Sequence, residues 1–275
     1  MANKVKESLE AGKVVIGPFM LSSAPILVEL AGYAGFDFVM IDMEHTSTDF
    51  ITAERMVLAA QASGIVPGIR VPENRPTHIL RALEIGAKII DVPLINTKAD
   101  AEAVVKASKY FPIGERGCAP ITRGNYYGSL VNVEETLRIA NEETLLMVQI
   151  ETREGVENVE EICSVKNIDI IFIGPADLSQ SMGIPGQYNN PLFEKTVQKI
   201  IKVARDSGKF AGLFVIDGAK AGQRWVEEGA QFLTPFADYY QIYLQWKAFV
   251  EEYAERLGNA PSIAKRPNVD WFDLI

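Results

Sequence analysis

Short apolar runs alternate with amphipathic stretches along the chain, and the beat recurs eight times. Runs at 14–20, 36–44, 66–71, 87–95, 144–151, 168–174, 209–216 and 231–236 read as strands, most of them apolar enough for burial on both faces. Helical patterns follow at 24–35, 50–63, 76–86, 99–110, 156–165, 191–207, 219–228 and 239–257. Glycine closes several of these helices, at Gly35, Gly64, Gly86, Gly208 and Gly229, where a left-handed C-cap suits it. Eight strand–helix units predict a parallel sheet closed into a (β/α)8 barrel. An open doubly wound sheet would put a glycine-rich phosphate loop after the first strand, and GPFMLSSAP (17–25) is a poor match.

The length of 275 residues suits one such barrel, for which roughly 250 is typical. The expected organisation is one barrel over 1–257, a long insertion at 111–141 rich in Gly, Pro and Tyr, and a tail at 258–275. Apolar residues make up 48% of the chain, enough for a sizeable core. The net charge of -9 argues against nucleic acid, which needs a basic face, but not against an anionic substrate held by a local cation. Two cysteines without metal-type spacing, Cys118 and Cys163, fit a reducing compartment. No apolar run reaches the ~18 residues of a membrane span, and MANKVKESLEAGK lacks the apolar core of a signal peptide. The expectation is a cytoplasmic protein.

In a parallel barrel the chemistry sits at the C-terminal ends of the strands. Those ends present Phe19, Asp42-Met43-Glu44-His45, Arg70, Gln149 with Glu151, and Asp177 just past 168–174. Two carboxylates on adjacent strands, Glu151 and Asp177, can hold a divalent cation and leave most of its shell to water and substrate, as Mg²⁺ or Mn²⁺ commonly requires. His45 has Asp42 three residues before it; a carboxylate on one ring nitrogen would fix the tautomer and free the other for proton transfer. His78, on a helix facing away, gets no role. Arg70 has two readings: an ion pair with Asp42 or Glu44, or a contact with the substrate oxygen that gains negative charge. Arg123, in the insertion, is a weaker anion-binding candidate. Gly174-Pro175-Ala176-Asp177 is either a plain β-turn or a turn whose Ala176 and Asp177 amides hold a carboxylate. Phe19 is either a wall against an apolar part of the substrate or core. Lys88 opens a strand at the wrong end for a Schiff base.

IDMEH (41–45), IRVPEN (69–74), VQIETREGVEN (148–158) and FIGPADLSQSMG (172–183) together resemble the HpcH/HpaI aldolases, metal-dependent pyruvate aldolases. The resemblance runs over about residues 14–229. It implies a barrel of the phosphoenolpyruvate/pyruvate type, with the last helix exchanged between subunits in a homohexamer built as a trimer of dimers. It implies that Glu151 and Asp177 hold Mg²⁺, Mn²⁺ or Co²⁺. Arg70 would meet the keto oxygen, and His45, oriented by Asp42, would move a proton. Gln149 would lie beside pyruvate, the Ala176 and Asp177 amides would hold its carboxylate, and Phe19 and Phe214 would line the aldehyde side. FLTPFADYYQ (232–241) and GCAPITRGNYYG (117–128) depart from the pattern, and both are expected near the pocket for the second substrate.

The implied reaction joins or splits 4-hydroxy-2-oxo acids through a pyruvate enolate and an aldehyde. Oxaloacetate decarboxylation, or cleavage of a citramalyl- or malyl-CoA type ester, would use the same enolate. A barrel that binds metal without turnover is the non-enzyme alternative.

Overall fold

In the computed structural model, which describes residues 3–129, 132–216 and 218–258, nine parallel strands form one sheet. They are β1 (Val15–Ile16), β2 (Phe19–Met20), β3 (Phe38–Asp42), β4 (Val66–Arg70), β5 (Ile89–Val92), β6 (Leu145–Ile150), β7 (Ile170–Ile173), β8 (Phe210–Phe214) and β9 (Phe232–Thr234). Each pairs in sequence order from β2 to β9, and β9 pairs back onto β1, Val15 opposite Phe232. β1 and β2 are halves of one barrel strand. Pro18 between them has no N–H to give, yet its carbonyl accepts from Met40 N–H and the Gly17 N–H reaches Leu233 O. A Cβ on Gly17 would collide with the Phe38 carbonyl, so the break needs glycine there. The ring of eight strand positions expected from the sequence is therefore present.

Around the ring stand α2 (Pro25–Ala34), α3 (Phe50–Ser63), α4 (Pro76–Glu84), α5 (Lys98–Ser108), α10 (Pro191–Asp206), α11 (Gly218–Glu228) and α12 (Asp238–Leu257). The predicted helix at 156–165 is instead two short ones, α7 (Arg153–Glu157) and α8 (Val159–Cys163). They meet at Asn158, whose side chain donates to Asn96 O. α1 (Lys4–Glu10) has no counterpart in the sequence reading. Its Val5 and Leu9 pack with Val15, Phe38, Val66, Ile89 and Leu145 and close the N-terminal end of the barrel. The insertion contributes a 3₁₀ turn (Arg123–Gly128) and α6 (Val133–Glu143). The tail lies outside the described residues beyond Gly258. Among the described residues no helix is long and apolar enough to cross a membrane.

Side chains alternate along each strand, so one set fills the barrel and the other meets the helices. The inward set is Phe38, Met40 and Asp42; Val66, Gly68 and Arg70; Ile89 and Asp91; Leu145, Met147 and Gln149. Each line is apolar below and polar at its C-terminal end. That polar layer is the floor of the mouth.

Candidate active site

Asp42 and Arg70 are register partners at the ends of β3 and β4. The Arg70 Nε donates to Asp42 Oδ1 at 2.8 Å, and its Nη1 lies 3.2 Å from Glu44 Oε2. Arg70 therefore makes both ion pairs that the sequence offered as alternatives. Burial works against its charge, but the hydrogen bond and charge of Asp42, with Asp91 and Glu44, outweigh burial and raise its pKa. The Phe19 ring lies 4.7 Å from the guanidinium carbon. Phe19 is itself 3% exposed and packs on Phe172 and Phe214. It is a floor residue, on the core side of the two readings.

The expected Asp42–His45 pair is not formed between side chains. Asp42 Oδ2 accepts from the backbone N–H of His45 at 3.3 Å, while Arg70 holds the other oxygen. The imidazole is exposed, with Nε2 3.7 Å from Glu44 Oε2. Asp42 thus sets the loop that carries His45, and Glu44 is the carboxylate facing the ring.

Glu151 is 2% exposed, and its Oε1 accepts from the Leu94 N–H at 2.7 Å. Leu94 stands at φ 55°, a region costly for leucine, and this conformation delivers the amide. Burial pushes the Glu151 carboxyl up to about 7 against the Leu94 hydrogen bond, and the charges of Glu44 and Asp177 push the same way. Glu44 is raised by burial too, opposed by Arg70 and His45, with Asp42 and Asp177 adding to the rise. A Cβ on Gly174 would collide with Glu151 Oε2, so glycine admits the carboxylate at this point.

Asp177 lies in the first turn of α9 (Pro175–Ser181), a helix where the sequence suggested a turn. Gly174 is the N-cap and Pro175, which lacks an N–H, takes a first-turn position. Helix geometry leaves the Ala176 and Asp177 amides without intrahelical partners. The half-buried Asp177 carboxylate acts on both Glu151 and Glu44, which brings three acids to one region.

Buried and mutually repelling carboxylates suit a divalent cation, and Glu151 and Asp177 are oxygen donors of the kind Mg²⁺ and Mn²⁺ take. Among the described residues no three His, Cys, Asp or Glu form a ready-made cage. These two acids could supply the protein side of such a shell and leave the remainder to water and substrate.

Asp91 escaped the sequence reading. It is the penultimate residue of β5, opposite Arg70, is fully buried, and accepts from the Gln149 amide nitrogen. Burial holds its carboxyl well above the usual range, against Arg70 and the Gln149 hydrogen bond. The signal was its alternation with Ile89, masked by the apolar run AKIIDVPLI (87–95).

Arg123 is not at the mouth. Its Nε lies 3.5 Å from Glu54 Oε1 and its Nη1 3.4 Å from Gln61 Oε1, both on α3 in the outer ring. The 117–128 segment packs at the N-terminal side, where Gly124 sits against Leu83 O and Arg116 pairs with Glu84 at 2.8 Å. In this chain it does not border the mouth. Lys88, as expected, is at that far end, where it bonds Glu143 and Tyr126 at 2.8 Å each. Phe214 is half-buried; it touches Phe19 and also lines a cavity of about 310 Å³ with Pro175, Tyr188, Phe193 and Trp225. That cavity runs between the strands and α10–α11, and Glu44, Glu151 and Asp177 do not line it.

The family model for HpcH/HpaI aldolase/citrate lyase matches residues 16–237. A 5-keto-4-deoxy-D-glucarate aldolase of Escherichia coli O157:H7 (strain EC4115 / EHEC) is 36% identical over 236 residues, 86% of this chain and 91% of the relative. The solved structure of an HpcH/HpaI aldolase from Desulfitobacterium hafniense DCB-2 is 32% identical with a TM-score of 0.85, over 91% of this chain and 96% of that one. The citrate synthase SbnG is 30% identical with a TM-score of 0.85, over 92% of this chain and 98% of that one.

Proposed function

The chain belongs to the HpcH/HpaI aldolase/citrate lyase family, and on that premise we propose that it is a divalent-metal-dependent aldolase acting on 4-hydroxy-2-oxo acids, with pyruvate and an aldehyde as its other partners. The observation that carries this reading is the gathering of Glu44, Glu151 and Asp177 beside Arg70 at the C-terminal mouth. Glu151 and Asp177 would hold Mg²⁺, Mn²⁺ or Co²⁺, whose contribution is Lewis-acid polarisation of the 2-oxo group.

The residues divide the remaining work. The Ala176 and Asp177 amides bind the substrate carboxylate at the start of α9. Arg70 commits Nε to Asp42 and Nη1 to Glu44, which fixes the guanidinium plane and leaves its other N–H groups for the keto oxygen. As the C3–C4 bond breaks, its electron pair passes to the 2-oxo group, and a preorganised donor there typically contributes ~3–4 kcal/mol. His45 is the base for the C4 hydroxyl proton; it is exposed enough to exchange that proton with water, and Glu44 faces its ring. The aldehyde leaves and C3 takes a proton to give pyruvate. Gln149 lies beside the reacting acid, Phe19 supports Arg70 from below, and Phe214 stands at the aldehyde side.

The test is a pyruvate-release assay over a panel of 4-hydroxy-2-oxo acids with Mg²⁺, Mn²⁺ and Co²⁺, repeated after EDTA. Metal-dependent release from at least one acid is expected; release that survives metal depletion would overturn the scheme. The likeness to a citrate synthase favours a second reading, enolate chemistry on oxaloacetate or an acyl-CoA. Pyruvate release from oxaloacetate alone or from a citramalyl-CoA ester alone, or glyoxylate release from a malyl-CoA ester, would establish it. The reaction as proposed belongs in the cytoplasm, with α12 exchanged between subunits of a trimer of dimers.

A further inference from the structure

The reaction above gives Asp91 no task, yet the residue is costly. It is a fully buried acid at a level of the barrel where its inward neighbour on the same strand is Ile89. Arg70 does not need it as a first partner, since Asp42 and Glu44 already hold the guanidinium. The direct contact of Asp91 is with Gln149: Oδ2 accepts from the amide nitrogen, and Oδ1 has no hydrogen-bond partner among the described residues. That hydrogen bond, with the amide nitrogen as donor, sets which end of the Gln149 amide faces Asp91. The Gln149 carbonyl oxygen is thereby turned the other way, and it too is buried without a hydrogen-bond partner among the described residues. It lies 3.4 Å from the point a Cβ on Gly174 would occupy, the same point that Glu151 Oε2 crowds. The free acceptor therefore faces the space beside Glu151.

We propose that Asp91 is a positioning residue that holds the Gln149 carbonyl oxygen towards the site as the acceptor for a substrate hydroxyl other than the C4 hydroxyl, whose proton goes to His45. The inference rests on the aldolase reading for its substrate. Keto and carboxylate oxygens of a 2-oxo acid are acceptors and gain nothing from a second acceptor; a hydroxyl is the donor such a molecule carries. Asp91 thus makes the site select 4-hydroxy-2-oxo acids that carry a further hydroxyl.

The experiment compares Asp91→Asn, Asp91→Val, Gln149→Ala and the double variant Asp91→Val/Gln149→Ala. Three readouts are taken: cleavage of a 4-hydroxy-2-oxo acid that carries a further hydroxyl, deuterium exchange at C3 of pyruvate, and unfolding in urea. Asp91→Val should lower kcat/KM for cleavage about 10–100-fold, the usual scale for a residue that orients a site group. Asp91→Asn keeps an acceptor for the amide and should stay within about threefold of the parent, and Asp91→Val should add no loss in the Gln149→Ala background. Exchange on pyruvate, which has no hydroxyl, should be spared in Asp91→Val. Equal loss in Asp91→Asn, additive losses in the double variant, or exchange falling as far as cleavage would each overturn the proposal. If Asp91→Val does not fold, Asp91→Ala takes its place. A parent protein inert towards every acid sinks the aldolase reading instead. The unfolding cycle then decides the contact alone, strict additivity of the two substitutions refuting it.

Discussion

At the scale of the residue, the site depends on how closely a few groups approach. Gly174 has ordinary extended backbone angles, φ -88° and ψ 97°, so alanine is conformationally allowed there. Its methyl would nevertheless meet Glu151 Oε2. Gly174→Ala should therefore leave the melting temperature nearly unchanged and weaken Mn²⁺ affinity about 10–100-fold, read by calorimetric titration. Arg70→Lys keeps the charge but loses the fork that serves Asp42 and Glu44, so kcat should fall about 10²–10³-fold. Arg123→Ala, on the outer ring, should leave kcat/KM unchanged in the pyruvate-release assay. Glu151 and Asp177 were legible because each follows an apolar strand at the end where barrels keep their chemistry. Asp91 was not, because one acid inside an apolar run looks like an interruption until its neighbours on the inward face are known. The partner of His45 was misread for another reason. Sequence spacing allowed Asp42 to reach the ring, but Arg70, distant in sequence, claims that carboxylate first.

At the scale of the element, strand and helix positions followed from periodicity, and the departures have local causes. The first strand is split by Gly17-Pro18. The turn after β7 is a helix because Gly174 caps it and Pro175 suits its first turn. α1 was missed because its apolar content is Val5 and Leu9, one turn apart, which is too little to stand out. Those two side chains close the barrel floor, so Leu9→Ala should cost about 2–5 kcal/mol in urea unfolding while leaving kcat intact. The same end of the molecule has a pH signature. Lys109 is buried, and its Nζ donates to Asn141 O and Thr144 O at 2.7 Å each. Burial lowers its pKa to about 8 from 10.5, with Asp169 opposing and Lys6 and Arg116 assisting. The unfolded chain then binds a proton that the folded one lacks between those two values, so stability from this group rises with pH across that window. Parent minus Lys109→Met unfolding free energies should climb from about pH 8 to 10; a flat difference would refute the assignment.

At the scale of the whole molecule, the ring of strands serves to bring β3 to β6 side by side, so that Asp42, Arg70, Asp91 and Gln149 share one polar layer. Glu151 and Asp177 stand at the same mouth. α12 starts there too, where Asp238 accepts from the Leu21 and Ser22 amides. Along its length it exposes Tyr239, Tyr243, Trp246, Phe249, Tyr253 and Leu257. A helix exchanged with a second copy would cover that face. Light scattering should then give a multiple of 30.3 kDa that drops in Trp246→Asp/Phe249→Asp, whereas an unchanged mass would argue against exchange. Spacing alone says nothing of assembly, since exposed aromatic residues on a helix do not say what covers them.

The whole account turns on two acids, one just past β6 and one in the first turn of α9, sharing one ion that binds the 2-oxo acid. Anomalous diffraction from crystals soaked in Mn²⁺ and pyruvate tests it most directly. The account predicts one strong peak bridged by the carboxylates of Glu151 and Asp177, with pyruvate on it and Arg70 at the keto oxygen. A peak elsewhere, or pyruvate seated with neither acid at the ion, would contradict it.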